Sequence, residues 1–106
     1  MRTLNQPKPE DFDLATVLHA FGDPVRLELL RRLAAADEVT CSPTGLDVPR
    51  STMTNHWRIL REAGITSTRI SGKARLMSLR RAELEVRFPG LLDVVMAEVA
   101  PFPEGS

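Results

Sequence analysis

Glycine and proline punctuate this chain so closely that only short helices and tight turns fit between them. Phe12, Leu14, Val17, Leu18 and Phe21 recur at helical spacing, and Gly22 closes that stretch. Asp23-Pro24 opens the next helix at once. Asp is a favoured N-cap, and Pro at the first helical position gives up no needed N–H. Val25, Leu29, Leu30 and Leu33 mark one face of this second helix, which is expected to reach about Ala36. Arg26, Glu28, Arg31 and Arg32 fall mostly off that face. Val39-Thr40-Cys41 reads as a very short strand and Ser42-Pro43-Thr44-Gly45 as a turn or one short helical turn. A third helix follows Pro49, with Ser51 as its expected cap, and runs to about Ala63, where Gly64 takes the C′ position. From Ile65 to Leu79 two β-like runs surround Ser71-Gly72-Lys73, the signature of a hairpin. A further helix starts at Arg81 or Ala82, breaks at Pro89-Gly90, and resumes over the apolar run from Leu91 to about Ala100.

This order predicts a mostly α fold with a small β-hairpin wing, a winged helix-turn-helix. With 106 residues there is room for one small domain. Residues 1–10 read as a flexible arm, 11–100 as the winged helix-turn-helix DNA-binding and dimerisation domain, and 101–106 as a disordered tail. The single cysteine excludes an intramolecular disulfide and a multi-cysteine zinc site within one chain. No run of about 18 apolar residues and no apolar signal region are seen, so a cytoplasmic protein is expected. Two histidines, one cysteine and no tyrosine leave few acid–base groups, and no glycine-rich phosphate loop appears. The chain is therefore not expected to be an enzyme.

The net charge is zero, yet the charges are segregated. Between Arg50 and Arg81 lie eight basic residues and one acid, Glu62, or +7. The remaining six basic and thirteen acidic residues carry −7. Such a basic segment suits a polyanion. At about 100° per residue the third helix has two faces. Met53, His56, Trp57, Leu60 and Ala63 share one, the core side. There His56 reads as a packed histidine with one satisfied ring nitrogen. Ser51, Thr54, Asn55 and Arg58 share the other. Hydroxyls, an amide and a guanidinium are groups that read base edges and grip phosphates in a major groove. Arg50 precedes them, and Arg69, Lys73 and Arg75 surround the hairpin tip. These eight residues are the expected double-stranded DNA contacts.

Two segments resemble the ArsR/SmtB family of regulators. One is Leu18-His19-Ala20-Phe21-Gly22-Asp23-Pro24-Val25-Arg26-Leu27-Glu28-Leu29-Leu30, and the other runs from Ser51 to Ile65. The similarity extends from about Leu14 to Leu79. It implies a homodimeric winged-helix repressor on a palindromic operator, paired through its first and last helices. The apolar residues at the chain ends point the same way: Leu14, Val17, Leu18 and Phe21, with Leu91, Leu92, Val95 and Val99, exceed what one small core covers. The family's metal signatures are missing. Cys41 stands alone where a Cys-X-Cys pair would be, and the last helix has no histidine. No metal site and no cofactor are expected. Cys41 reads as a small buried hydrophobe, with a thiol-sensing role as its alternative. The competing reading of the whole chain is a winged-helix interaction module or co-regulator, whose partner protein senses the effector, a metal included.

Overall fold

The computed structural model describes residues 2–3, 6–40 and 46–99. Cys41, the turn at 42–45 and the tail at 101–106 lie outside the described residues. The elements run β1 (Arg2–Thr3), a 3-10 turn (Pro9–Asp11), α1 (Leu14–Phe21), α2 (Pro24–Ala35), β2 (Val39–Thr40), α3 (Arg50–Glu62), β3 (Thr66–Ser71), β4 (Ala74–Leu79), α4 (Arg81–Arg87) and α5 (Leu91–Glu98). The winged helix-turn-helix expected from the residue pattern is the observed architecture.

Local chemistry sets the element ends. Asp23 Oδ1 accepts from the backbone N–H groups of Val25 (2.8 Å) and Arg26 (3.1 Å), capping α2. Asp13 does the same for α1: its Oδ2 accepts from Thr16 N at 3.0 Å and Thr16 Oγ1 at 2.8 Å. The Thr16 hydroxyl and then its N–H hold the Asp13 carboxyl below its ordinary range. The start of α3 differs from expectation. Arg50 opens the helix, Pro49 occupies the cap position in extended conformation, and no side chain caps it. Ser51 therefore sits inside the first turn and is not the cap. Proline presets the backbone for helix entry, so the helix starts two residues earlier than a Ser51 cap would place it.

The hairpin turns at Gly72-Lys73, with Gly72 at φ 60°, and β3 pairs with β4 from Thr66↔Leu79 to Ser71↔Ala74. The sheet order is β1-β3-β4-β2, all antiparallel. Part of the stretch expected to be a free arm is seated on this sheet. Arg2 and Thr3 pair opposite Ile70 and Arg69. Gln6 Oε1 accepts from Thr68 N at 2.6 Å, and Pro7 O accepts from Arg80 Nη1 at 2.8 Å. The physical reason is the outer edge of β3, whose backbone groups would otherwise lack partners.

One core joins the helices to the sheet: Leu29, Leu30 and Leu33 of α2, Met53, Trp57 and Leu60 of α3, then Ile65, Met77, Leu84 and Leu92. Arg26 and Glu28 are also buried, contrary to the outward placement expected for them. Glu28 is held by Arg31 (Nε 2.8 Å) and Arg32 (Nε 2.7 Å). Hydrophobic periodicity is blind to such burial, because polar partners and not apolarity satisfy these groups: ion pairs for Glu28, hydrogen bonds for Arg26.

The exit from α3 is the tightest point of the fold. Gly64 lies in the left-handed region at φ 86°. Ile65 N donates to Leu60 O (3.0 Å) and Gly64 N to Arg61 O (3.0 Å), the paired bonds of a Schellman ending. The Phe12 ring rests where a Gly64 side chain would be. Arg80 lies over that ring at 4.9 Å, and Arg87 Nη2 donates to Phe12 O at 3.1 Å. Gly64→Ala combines a disfavoured backbone with overlap of the ring. It is expected to destabilise the fold by about 2–4 kcal/mol, measured by urea denaturation. A loss below about 0.5 kcal/mol would rule out this packing.

Candidate nucleic-acid interface

Helix α3 carries Met53, His56, Trp57 and Leu60 into the core and leaves Arg50, Ser51, Thr52, Thr54, Asn55 and Arg58 exposed. The division follows the period of the sequence. Arg58 is not isolated. Its Nη2 donates to Asn55 Oδ1 and its Nη1 to Glu62 Oε1 at 3.2 Å. Asn55 and Arg58 thus form one unit on the exposed face, with a carboxylate behind them. Arg50 makes no ion pair among the described residues.

On the wing, Lys73 and Arg75 are exposed and make no ion pair among the described residues. Arg69 is different. Its Nε donates to Glu38 Oε2 at 2.6 Å and its Nη2 to Glu38 Oε1 at 2.7 Å, a two-point grip. That hydrogen bonding, ahead of simple charge attraction, lowers the Glu38 carboxyl and raises the Arg69 guanidinium from their ordinary values. Register explains the difference. Arg69 pairs opposite Leu76 and Arg75 opposite Ile70, so the two cations lie on opposite faces of the ribbon. Arg75 shares the face on which Thr66, Thr68 and Met77 are buried. That alternation follows from pairing register, which composition does not reveal.

The expected dimer residues separate into three groups. Val17, Phe21 and Leu92 are buried in the chain's own core, which corrects their reading as spare surface. Leu91, Val95 and Val99 are partly buried. Leu14 and Leu18 remain about half exposed, at 48% and 49%. Val94, at 65% exposure, belongs with them and was not expected. On α1 the 14/18 and 17/21 pairs form adjacent stripes, one outward and one inward. Periodicity alone merges them.

The residue that sequence reasoning missed is Arg26. Its Nη1 donates to His56 Nδ1 at 3.2 Å, inside the protein. A guanidinium only donates, so Nδ1 is the acceptor in this bond. Asp23 Oδ1 stands 4.0 Å from the same nitrogen. Among the described residues no three His, Cys, Asp or Glu side chains cluster as a metal would require. None of their helices is long and apolar enough to cross a membrane.

The Glu38–Arg69 pair has an acid signature. With Glu38 held low in the folded protein, its stabilisation is complete above the ordinary glutamate value of 4.5. It fades as pH falls through the lowered folded value. Glu38→Gln is therefore expected to flatten the acid decline of the urea midpoint below that pH. Identical acid profiles for variant and parent would remove the pair from the stability of the wing.

Residues 21–69, from the end of α1 into the wing, match a family model described as a helix-turn-helix domain. Over 95 residues the chain is 28% identical to an uncharacterised HTH-type transcriptional regulator, YceK, of Bacillus subtilis (strain 168). That alignment covers 87% of this chain and 95% of YceK. Among solved structures it is similar to one titled as a possible transcriptional regulator for arsenical resistance. The TM-score is 0.61 at 26% identity, over 77% of this chain and 84% of that one. The chain is a winged helix-turn-helix protein similar to transcriptional regulators of the helix-turn-helix type.

Proposed function

We propose that the chain is a sequence-specific DNA-binding transcriptional regulator, a homodimeric repressor of the ArsR type acting on a palindromic operator in the cytoplasm. The observation that carries this is the exposed polar face of α3, Arg50, Ser51, Thr54, Asn55 and Arg58, opposite a buried face of Met53, His56, Trp57 and Leu60. Arg58 and Asn55 supply paired donors and an acceptor for base edges. Arg50, Lys73 and Arg75 supply positive charge with no carboxylate partner among the described residues, suited to phosphate. Arg69 reaches DNA only after leaving Glu38. No metal or cofactor is assigned to the protein. The arsenical link belongs to the structural neighbour's title; Cys41 alone falls short of the several thiolates that soft metals prefer.

Two copies would meet through Leu14 and Leu18 of α1 and Val94 of α5, with the partly buried Leu91, Val95 and Val99 beside them. Leu14→Glu with Val94→Glu is expected to shift the protein from dimer to monomer in sedimentation equilibrium while helical content is kept. A parent protein that is monomeric at high concentration would sink the dimer.

DNA binding is tested by a salt-titrated gel shift on the DNA upstream of the chain's own gene. Affinity is expected to fall roughly 10³-fold or more between about 50 and 200 mM salt if six or more phosphates are contacted. Arg58→Ala is expected to weaken specific binding about tenfold or more. Parallel lanes with chelator or reductant report on metal and on Cys41, and leave binding unchanged if neither takes part. A flat salt response, or none of the DNA bound at low salt, would favour an interaction module or a co-regulator that needs a partner protein.

A further inference from the structure

We infer that Arg26 is a positioning residue for DNA recognition: it sets the rotation of α3 about its own axis, and with it sequence discrimination. This rests on the DNA-binding reading above. Arg26 lies on α2, is 6% exposed, and belongs to no part of the exposed face. It makes no ion pair with a carboxylate among the described residues. A guanidinium in that situation loses its hydration and is tolerated only if its donors are well used.

All three of its nitrogens are used. Nε donates to Ala20 O at 2.7 Å and Nη2 to His19 O at 3.2 Å. Both carbonyls belong to the last turn of α1, where i+4 helical donors run out; His19 O also accepts from Gly22 N at 3.0 Å. Nη1 donates to His56 Nδ1 at 3.2 Å, in the middle of α3. The planar fork therefore ties the end of one helix to the centre of another.

Apolar contacts of α3 with the core include Met53, Trp57, Leu60 and the partly buried Ile59. Apolar burial holds a helix firmly against its neighbours but has little directional preference. A hydrogen bond weakens steeply as its angle departs from linear. The Arg26–His56 bond thus adds a directional contact that resists small rotations of α3. Asn55 precedes His56 in sequence and Arg58 follows two residues later, so a rotation at 56 re-aims both. Direct readout depends on paired donors and acceptors meeting base edges in register, whereas phosphate attraction tolerates misalignment. Loss of the link should then lower specific binding and spare non-specific binding.

The experiment first selects preferred duplexes from random DNA with the parent protein. Affinities for the selected site and for non-specific DNA are then compared for the parent, Arg26→Met, His56→Leu and His56→Gln, with salt slopes and thermal unfolding alongside. Arg26→Met and His56→Leu are expected to lower the specific-to-non-specific ratio roughly tenfold, the scale of one mismatched base pair. Their salt slopes on non-specific DNA should stay unchanged. His56→Gln keeps a side-chain acceptor and is expected to regain most of the ratio. Should Arg26→Met unfold, His56→Leu, which keeps an apolar anchor, carries the test. A folded His56→Leu protein with the parental ratio overturns the positioning role while leaving DNA binding intact. A parent that selects no sequence overturns the DNA-reading function itself, and the positioning role with it.

Discussion

The ring of Phe12 seated on the bare backbone of Gly64 is the contact on which the arrangement of this small protein depends. Gly64 ends α3, and β3 begins two residues later, so the angle between helix and wing is set there. Phe12 comes from the opposite end of the sequence and is itself gripped by Arg80 and Arg87. One aromatic side chain thus fixes the N-terminal turn, the exit of α3 and the start of α4 against each other. A core as small as this has few such convergences to spare.

The helices and hairpin were legible because their signals are local. Asp23-Pro24, Gly64, Gly72 and Pro89-Gly90 each impose a backbone geometry without reference to the rest of the chain. The inward and outward faces of α3 were legible for the same reason, since one helical period decides them. What escaped was non-local. The pairing of Arg2 and Thr3 with β3 depends on an edge left open elsewhere. The burial of Arg26 depends on carbonyls at the end of α1 and on a histidine thirty residues away. The grip of Glu38 on Arg69 depends on sheet register, which places those two residues together and turns Arg75 to the other side.

The apolar surplus at the chain ends illustrates a different limit. Counting Leu and Val there finds more than one core needs, which is correct in sum. It does not say which residues are spare. Val17 and Phe21 fill the monomer, Leu14 and Leu18 do not, and Val94 joins the latter. An eight-residue helix with apolar residues on two neighbouring stripes is ambiguous until its neighbours are known.

The segregated charge has a consequence for encounter with a polyanion. Of the cations between 50 and 81, Arg58, Arg69, Arg80 and Arg81 each lie within 4 Å of a carboxylate, and three of those carboxylates come from outside the segment. With a net charge of zero, the far field is that of a dipole and not of a cation. Dipolar fields fall off quickly and are cut further by salt over roughly 8–10 Å. Long-range attraction will therefore accelerate arrival at DNA very little. Diffusion brings the molecule in, the dipole turns it within the last nanometre, and the lifetime of the complex, set by contacts made after arrival, decides its affinity.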